Sequence, residues 1–183
     1  MTQSLERSFP WRECLAEFAG MALLLLVGLS LVTLNFSTGS PIAAWIPSLK
    51  ERQAITGFLF GGTGALIALS GLGKASGAHI NPVVTMTFWL FGKIDTRKSL
   101  SYLVAQLSGA VTGCLPLLLW GARGQSVSYG ATTPGAGYSM QEALVGEIVT
   151  TFIMVTLLIV MLGFRQTRSY TPAVFPFLYA IMV

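Results

Sequence analysis

The residues most suited to chemistry lie in one short stretch, SGAHINPVVT, which runs from Ser76 to Thr85. Asn81 and Pro82 predict the start of a helix, because asparagine caps helix N-termini and proline is favoured in the first turn. We expect the Asn81 amide to cap this helix and also to present a donor to a solute. The helix N-terminus carries roughly half a positive charge, so a hydrated proton would be repelled at this point.

The residues just before Asn81 can supply hydrogen-bond acceptors. Irregular backbone at membrane depth is tolerated only where it is buried in protein or lines a water-filled cavity. We therefore expect a ladder of backbone carbonyls to face a lumen, from Gly77, Ala78, His79 and Ile80. The His79 side chain is interpreted as a hydrogen-bonding spacer rather than a proton relay. It is not interpreted as a metal ligand, because the sequence near it offers no further ligands.

Ser76 and His79 leave an enzymatic hypothesis open, that of an intramembrane hydrolase. Such an enzyme needs a nucleophile within hydrogen-bond reach of its base. The sequence shows no oxyanion-hole pattern and no third partner for this pair, so we expect no enzymatic activity and no cofactor. It also lacks a GxxxxGK[ST] loop for ATP, which argues against a primary pump.

The elements that position this stretch are apolar segments of membrane-spanning length. Hydrophobic residues make up 53% of the 183 residues and charged ones 10%, against about 25% charged in soluble domains. A bilayer core requires about 20 apolar residues per helix. We predict a single transmembrane domain over residues 1–183, with spans at about 14–36, 54–73, 99–120, 141–164 and, incomplete, 170–183.

A shorter apolar segment at about 83–92 is too short to cross a bilayer and predicts a re-entrant half-helix. With this topology, eight of the 11 lysines and arginines lie on one side of the membrane. The positive-inside rule then places the N-terminus in the cytoplasm. We expect the protein in the plasma or inner membrane. The basic residues form short pairs between apolar runs, so the net charge of +4 does not indicate nucleic-acid binding.

SGAHINPVVT resembles the SGxHxNPAVT signature of the aquaporin or major intrinsic protein family. The resemblance covers nearly the whole chain, including AEF in span one and TPAVFPF in span five. It implies an all-α membrane protein, a bundle of six tilted spans and two re-entrant half-helices that forms a homotetramer with one pore per subunit. It identifies Asn81, Pro82 and Val83 as the first pore asparagine motif. It also identifies Glu17 and Glu147 as buried acids that hold the two re-entrant loops.

Two departures from the family pattern affect the expected pore. Val83 replaces the alanine of the signature, and the sequence ends at Val183 before the second half-helix, the filter arginine and the sixth span. Family spacing identifies Gly61 and Val183 as residues of the selectivity filter. Water-selective relatives usually have a bulky aromatic residue and a histidine at these two positions. Glycine and valine therefore predict a wider, less polar constriction. Glycerol, urea and similar solutes are then expected to pass, together with water.

The resemblance therefore implies a passive channel in the lipid bilayer for water and small neutral solutes, closed to protons and ions. A secondary transporter remains an alternative, because transporters also use broken helices at the midplane. The scarcity of midplane charges beyond the two glutamates argues against coupled transport. A third alternative is a non-conducting fragment, or a partner of a longer subunit, since the last predicted span is cut short.

Overall fold

Four long helices and a shorter fifth one make up most of the protein in a computed structural model that describes residues 9–135 and 137–182. The described residues contain no strand, so the predicted all-α fold class is confirmed. The α-helices are α1 Trp11–Phe36, α2 Pro41–Trp45, α3 Leu49–Leu69, α4 Gly71–Ser76, α5 Pro82–Leu90, α6 Thr96–Cys114, α7 Gly121–Gln125, α8 Met140–Gly163 and α9 Thr171–Met182. Short 3₁₀ turns cover Leu115–Trp120, Ser128–Gly130 and Arg168–Tyr170.

Among residues 9–135 and 137–182, three segments are long and apolar enough to cross a membrane, judged by length and composition. They are Trp11–Phe36, Thr96–Gln125 and Met140–Gly163, with mean hydropathies of 2.2, 1.6 and 2.3. Helix α3 is less apolar because it starts with charged residues and contains several glycines. These properties confirm a helical membrane protein.

The short helix α5 begins where the sequence places its cap. The Asn81 side-chain oxygen accepts the backbone N–H of Val83 at 2.8 Å and that of Val84 at 3.4 Å. Pro82 occupies the first turn, and the helix ends at Leu90 after 9 residues. At about 1.5 Å per residue, α5 is far shorter than a bilayer core.

Glycines allow α1 and α6 to pack closely. A Cβ atom added to Gly109 would overlap the backbone carbonyl of Phe18, and one added to Gly113 would overlap that of Ala22. Glycines four residues apart present a flat helix face that lets two backbones approach, as in many membrane helix pairs. The position of α1 against α6 therefore depends on the presence of glycine, which has no side chain, at these two sites.

We expect Gly109→Ala to destabilise the protein, because its methyl group would force α1 and α6 apart. Overpacking of this kind costs about 1–3 kcal/mol, and each kcal/mol lowers the melting temperature of a chain of this size by about 2–4 °C. The matched control is Gly62→Ala, since a Cβ at Gly62 would meet nothing within 4 Å. Thermal unfolding of the detergent-purified variants measures the difference. Equal melting temperatures would contradict close packing at Gly109.

Helix α8 packs mainly against α9 and the turn Arg168–Tyr170. None of its residues is buried. The Glu147 side chain is exposed, because no described element covers that face of α8, and its role as a buried acid that holds a re-entrant loop stays a prediction.

Candidate functional site

A cavity of about 200 Å³ lies between α3, α8, α9 and the loop that precedes α5. It brings together most of the residues that the sequence analysis selected: Gly61, Gly77, Ala78, His79, Ile80 and Asn81 all line it. Pro82 and Val83 follow at the start of α5, and the Val83 side chain is 42% exposed. The other predicted filter residue, Val183, lies outside the described residues.

The loop from Gly77 to Asn81 has an unusual backbone conformation. Gly77 has a φ of 93°, Ala78 of 52° and Ile80 of 34°. Glycine adopts the left-handed region freely, but a β-branched residue such as isoleucine rarely does. Each such residue costs about 1–3 kcal/mol, so the loop must be held by other parts of the protein.

Glu17 of α1 holds this loop from the side of the bundle. Its side chain is completely buried. One carboxylate oxygen accepts the His79 backbone N–H at 3.0 Å, and the other accepts the Ile80 N–H at 2.6 Å. Hydrogen bonds to a charged acceptor are stronger than those between neutral groups. The carboxylate thus satisfies two buried donors and opposes the strain at Ile80.

A second buried group, which the sequence analysis missed, completes this network. The Gln106 side-chain amide donates to Glu17 Oε2 at 2.6 Å and to Thr85 Oγ1 at 2.9 Å. The His79 ring nitrogen Nδ1 lies 3.2 Å from the same Thr85 oxygen. Gln106 and Thr85 have no exposed surface. A lone amide within the apolar run of α6 was the available signal, since buried polar residues in membrane spans usually have a partner.

Tyr102, one turn before Gln106, holds the start of the loop. Its hydroxyl donates to the Ser76 carbonyl at 2.7 Å and lies 3.1 Å from Glu13 Oε2. Glu13 also forms an ion pair with Lys98. The tyrosine is completely buried, so α6 holds the re-entrant segment at Ser76 through Tyr102 and at Thr85 through Gln106. The sequence analysis missed Tyr102, because its helix face cannot be read from the sequence without the fold.

Asn81 combines a structural role with a free hydrogen-bonding group. Its amide oxygen is used by the N–H groups of Val83 and Val84. The amide nitrogen is therefore left as a donor, and the residue lines the cavity. The N-terminus of α5 adds its partial positive charge at the same place. The site can offer a donor and a positive potential to a molecule in the cavity.

Ser76 and His79 do not form a nucleophile–base pair. The Ser76 hydroxyl donates to the Leu72 carbonyl at 3.4 Å and accepts the Ala78 N–H at 3.1 Å. The His79 ring instead contacts Thr85. A serine hydrolase requires these two side chains to bond to each other, so this geometry does not support the hydrolase hypothesis.

Comparison with known proteins gives one consistent result. The family model for the major intrinsic proteins matches residues 3–183. The chain is 33% identical over 171 residues to aquaporin AqpM of Methanothermobacter marburgensis, an alignment that covers 87% of this chain and 69% of the relative. It is 32% identical over 160 residues to the propanediol uptake facilitator PduF of Citrobacter freundii, covering 78% of this chain and 56% of the relative.

A third relative is the glycerol uptake facilitator protein of Escherichia coli K12. Identity to it is 34% over 109 residues, which covers 60% of this chain and 34% of the relative. The alignments thus span about two thirds of the length of the first relative, about half of the second and one third of the third.

Proposed function

Because the chain belongs to the major intrinsic protein family, whose members are passive channels and not enzymes, we propose that it is a passive transmembrane channel. Its proposed cargo is water and small neutral solutes such as glycerol or urea, with protons and ions excluded. The observation that carries this proposal is the cavity that Asn81 lines, with irregular loop backbone on one side and apolar helices on the others. The names of two relatives, a propanediol and a glycerol uptake facilitator, support small polyols as cargo.

The lining suits molecules that carry both hydroxyl groups and carbon-bound hydrogens. The loop supplies backbone carbonyl acceptors, and Asn81 supplies a donor, so a hydroxyl or a water can exchange its hydration for protein contacts. The helices contribute apolar side chains such as Val155, Leu158 and Phe175. A small polyol can place its hydroxyls against the loop and its carbon chain against the apolar helices.

Exclusion of cations follows from the charges around the cavity. Among the described lining residues, Arg168 is the one with a full charge, and the start of α5 is also positive. Both repel cations. Glu17 does not line the cavity in the described structure, and its carboxylate already accepts three hydrogen bonds. A proton-coupled transporter would need a titratable group that is free to exchange protons with the passage. His79 lines the cavity, but its ring nitrogen Nδ1 is engaged with Thr85 Oγ1 at 3.2 Å, so we favour passive flux.

We propose that the protein inserts in the plasma or inner membrane as a homotetramer, with a cytoplasmic N-terminus. Apolar side chains on one face of α6 support contact with lipid or with neighbouring subunits. They recur every three or four residues and are 58–69% exposed: Leu100, Val104, Leu107 and Val111. This spacing forms a continuous helix stripe.

The test is solute flux into liposomes that contain the whole natural protein, followed by stopped-flow light scattering. We expect water and glycerol to enter faster than in empty liposomes of the same lipid, with glycerol flux proportional to its concentration. A pH-sensitive dye inside the liposomes should report no added proton entry. Saturable flux driven by a proton or sodium gradient would instead establish a secondary transporter.

A further inference from the structure

Residues of α9 occupy the space beside Gly61, although the absence of a side chain on this glycine predicted a wide constriction there. A Cβ atom added to Gly61 would lie 2.8 Å from the Tyr179 Cβ atom and 2.9 Å from the Pro176 Cα atom. One turn earlier, a Cβ on Gly57 would lie 2.9 Å from the Tyr179 carbonyl oxygen. These two glycines let α9 approach α3 closely, and the approach brings Tyr179 to the position beside Gly61.

Three aromatic rings meet at this point, and we name them the aromatic cluster: Phe60, Phe175 and Tyr179. The rings of Phe60 and Tyr179 are stacked, with centroids 5.8 Å apart and planes inclined by 8°. Phe175 meets Tyr179 edge to face at 5.4 Å. Offset stacks and edge-to-face pairs are the favoured aromatic geometries, so Phe60 and Phe175 both restrict the Tyr179 ring.

Phe60 is also held from the other side. Its ring occupies the space that a side chain at Gly28 of α1 would fill. The Tyr179 ring therefore packs against a neighbour that is fixed between two helices. A ring held in this way acts as a rigid wall rather than as a side chain that moves aside for a solute.

The aromatic cluster lines the same cavity as Asn81. Thr171 and Ala68 line it as well. Tyr179 lies eight residues after Thr171 on α9, and Phe60 lies eight residues before Ala68 on α3. At 1.5 Å per residue, both rings lie about 12 Å deeper along their helices. A solute that enters near Thr171 must pass this level to continue through the protein.

We propose that the Tyr179 ring, rather than the side chain at position 61, sets the size limit of the solutes that this channel passes. This inference rests on the proposed function. The Tyr179 ring on α9 supplies the bulk that Gly61 on α3 lacks. Slender molecules such as water, urea and glycerol pass beside it, and branched polyols such as pentaerythritol are excluded.

The experiment compares pentaerythritol with glycerol permeability in liposomes that contain the whole natural protein. Tyr179→Ala should raise the ratio of pentaerythritol to glycerol permeability by about tenfold or more, since a single methylene group in a pocket already changes discrimination by about 10–200-fold. Tyr179→Phe keeps the ring and should leave the ratio within about twofold of the unmodified protein. Tyr179→Leu keeps much of the apolar packing, so it tests the proposal if the alanine variant does not fold.

Each outcome decides between two claims. An unchanged ratio in folded Tyr179→Leu, or an equal rise in Tyr179→Phe, would overturn the role of the ring while the channel function stands. Absence of glycerol flux in the unmodified protein, relative to empty liposomes, would overturn the proposed function itself and this inference with it.

Discussion

Glu17→Ala is expected to unfold the re-entrant loop and to abolish solute flux. The substitution leaves the backbone N–H groups of His79 and Ile80 without an acceptor, and each unsatisfied buried group costs about 1–3 kcal/mol. The strained backbone at Ala78 and Ile80 then loses its main support. The expected loss of several kcal/mol is a large share of a typical total stability of about 5–15 kcal/mol. We expect the melting temperature to fall by about 10 °C or more.

Thermal unfolding in detergent and glycerol flux in liposomes measure this prediction together. Glu17→Gln should have a smaller effect, because its amide oxygen can still accept one of the two N–H groups. Glu51→Ala is the matched control, since Glu51 is an exposed acid in the first turn of α3 and should contribute at most about 1 kcal/mol through the helix dipole. If Glu17→Ala melted and conducted like the Glu51 variant, the carboxylate would not hold the loop.

Asn81→Asp is expected to admit cations while the half-helix stays in place. Aspartate is as good a cap as asparagine, so the N–H groups of Val83 and Val84 keep their acceptor. The change, however, places a full negative charge where the cavity is now positive. At an effective dielectric constant of about 20, a unit charge at 4 Å contributes about 4 kcal/mol. We therefore expect cation flux, relative to glycerol flux, to rise by about tenfold or more.

Potassium and proton entry into liposomes under an imposed membrane potential give the readout. Asn81→Ser is the matched control, because serine also caps helices but remains neutral. This variant should still exclude cations, although it loses the amide donor. Equal exclusion of cations by the aspartate and serine variants would show that charge at this position does not control ion exclusion.

The sequence alone predicted the features that depend on local pattern. Apolar runs indicated an all-α membrane protein, and the Asn81–Pro82 pair placed the start of α5, because cap chemistry acts over a few residues. The structure ends α5 at Leu90, two residues before the predicted end of the half-helix. Glu17 was selected through the family resemblance, and a partnered role suits a charge within an apolar span, where charges are costly.

What the sequence could not predict depends on which helix faces meet. Gln106 and Tyr102 are isolated polar residues of α6, and their contacts with Glu17 and Ser76 arise only when α1, α6 and the loop come together. The position of Tyr179 beside Gly61 depends on α3 and α9 packing across more than 100 residues. The family resemblance implied that Glu147 is buried, but burial depends on neighbouring elements, and no described element covers Glu147.

The measurement that tests the central claim most directly is block of the cavity by a thiol reagent. Leu158 lines the cavity, whereas its neighbour Leu157 is 36% exposed and does not line it. Leu158→Cys and Leu157→Cys would each be labelled in detergent with a methanethiosulfonate reagent, checked by mass, and reconstituted. The unmodified protein, which contains Cys14 and Cys114, controls for the native thiols.

If the cavity is the route of the solute, labelling should stop glycerol flux in the Leu158 variant alone, and a reductant should restore it. Undiminished flux through fully labelled Leu158→Cys would contradict the account, because it would place the solute pathway elsewhere in the protein.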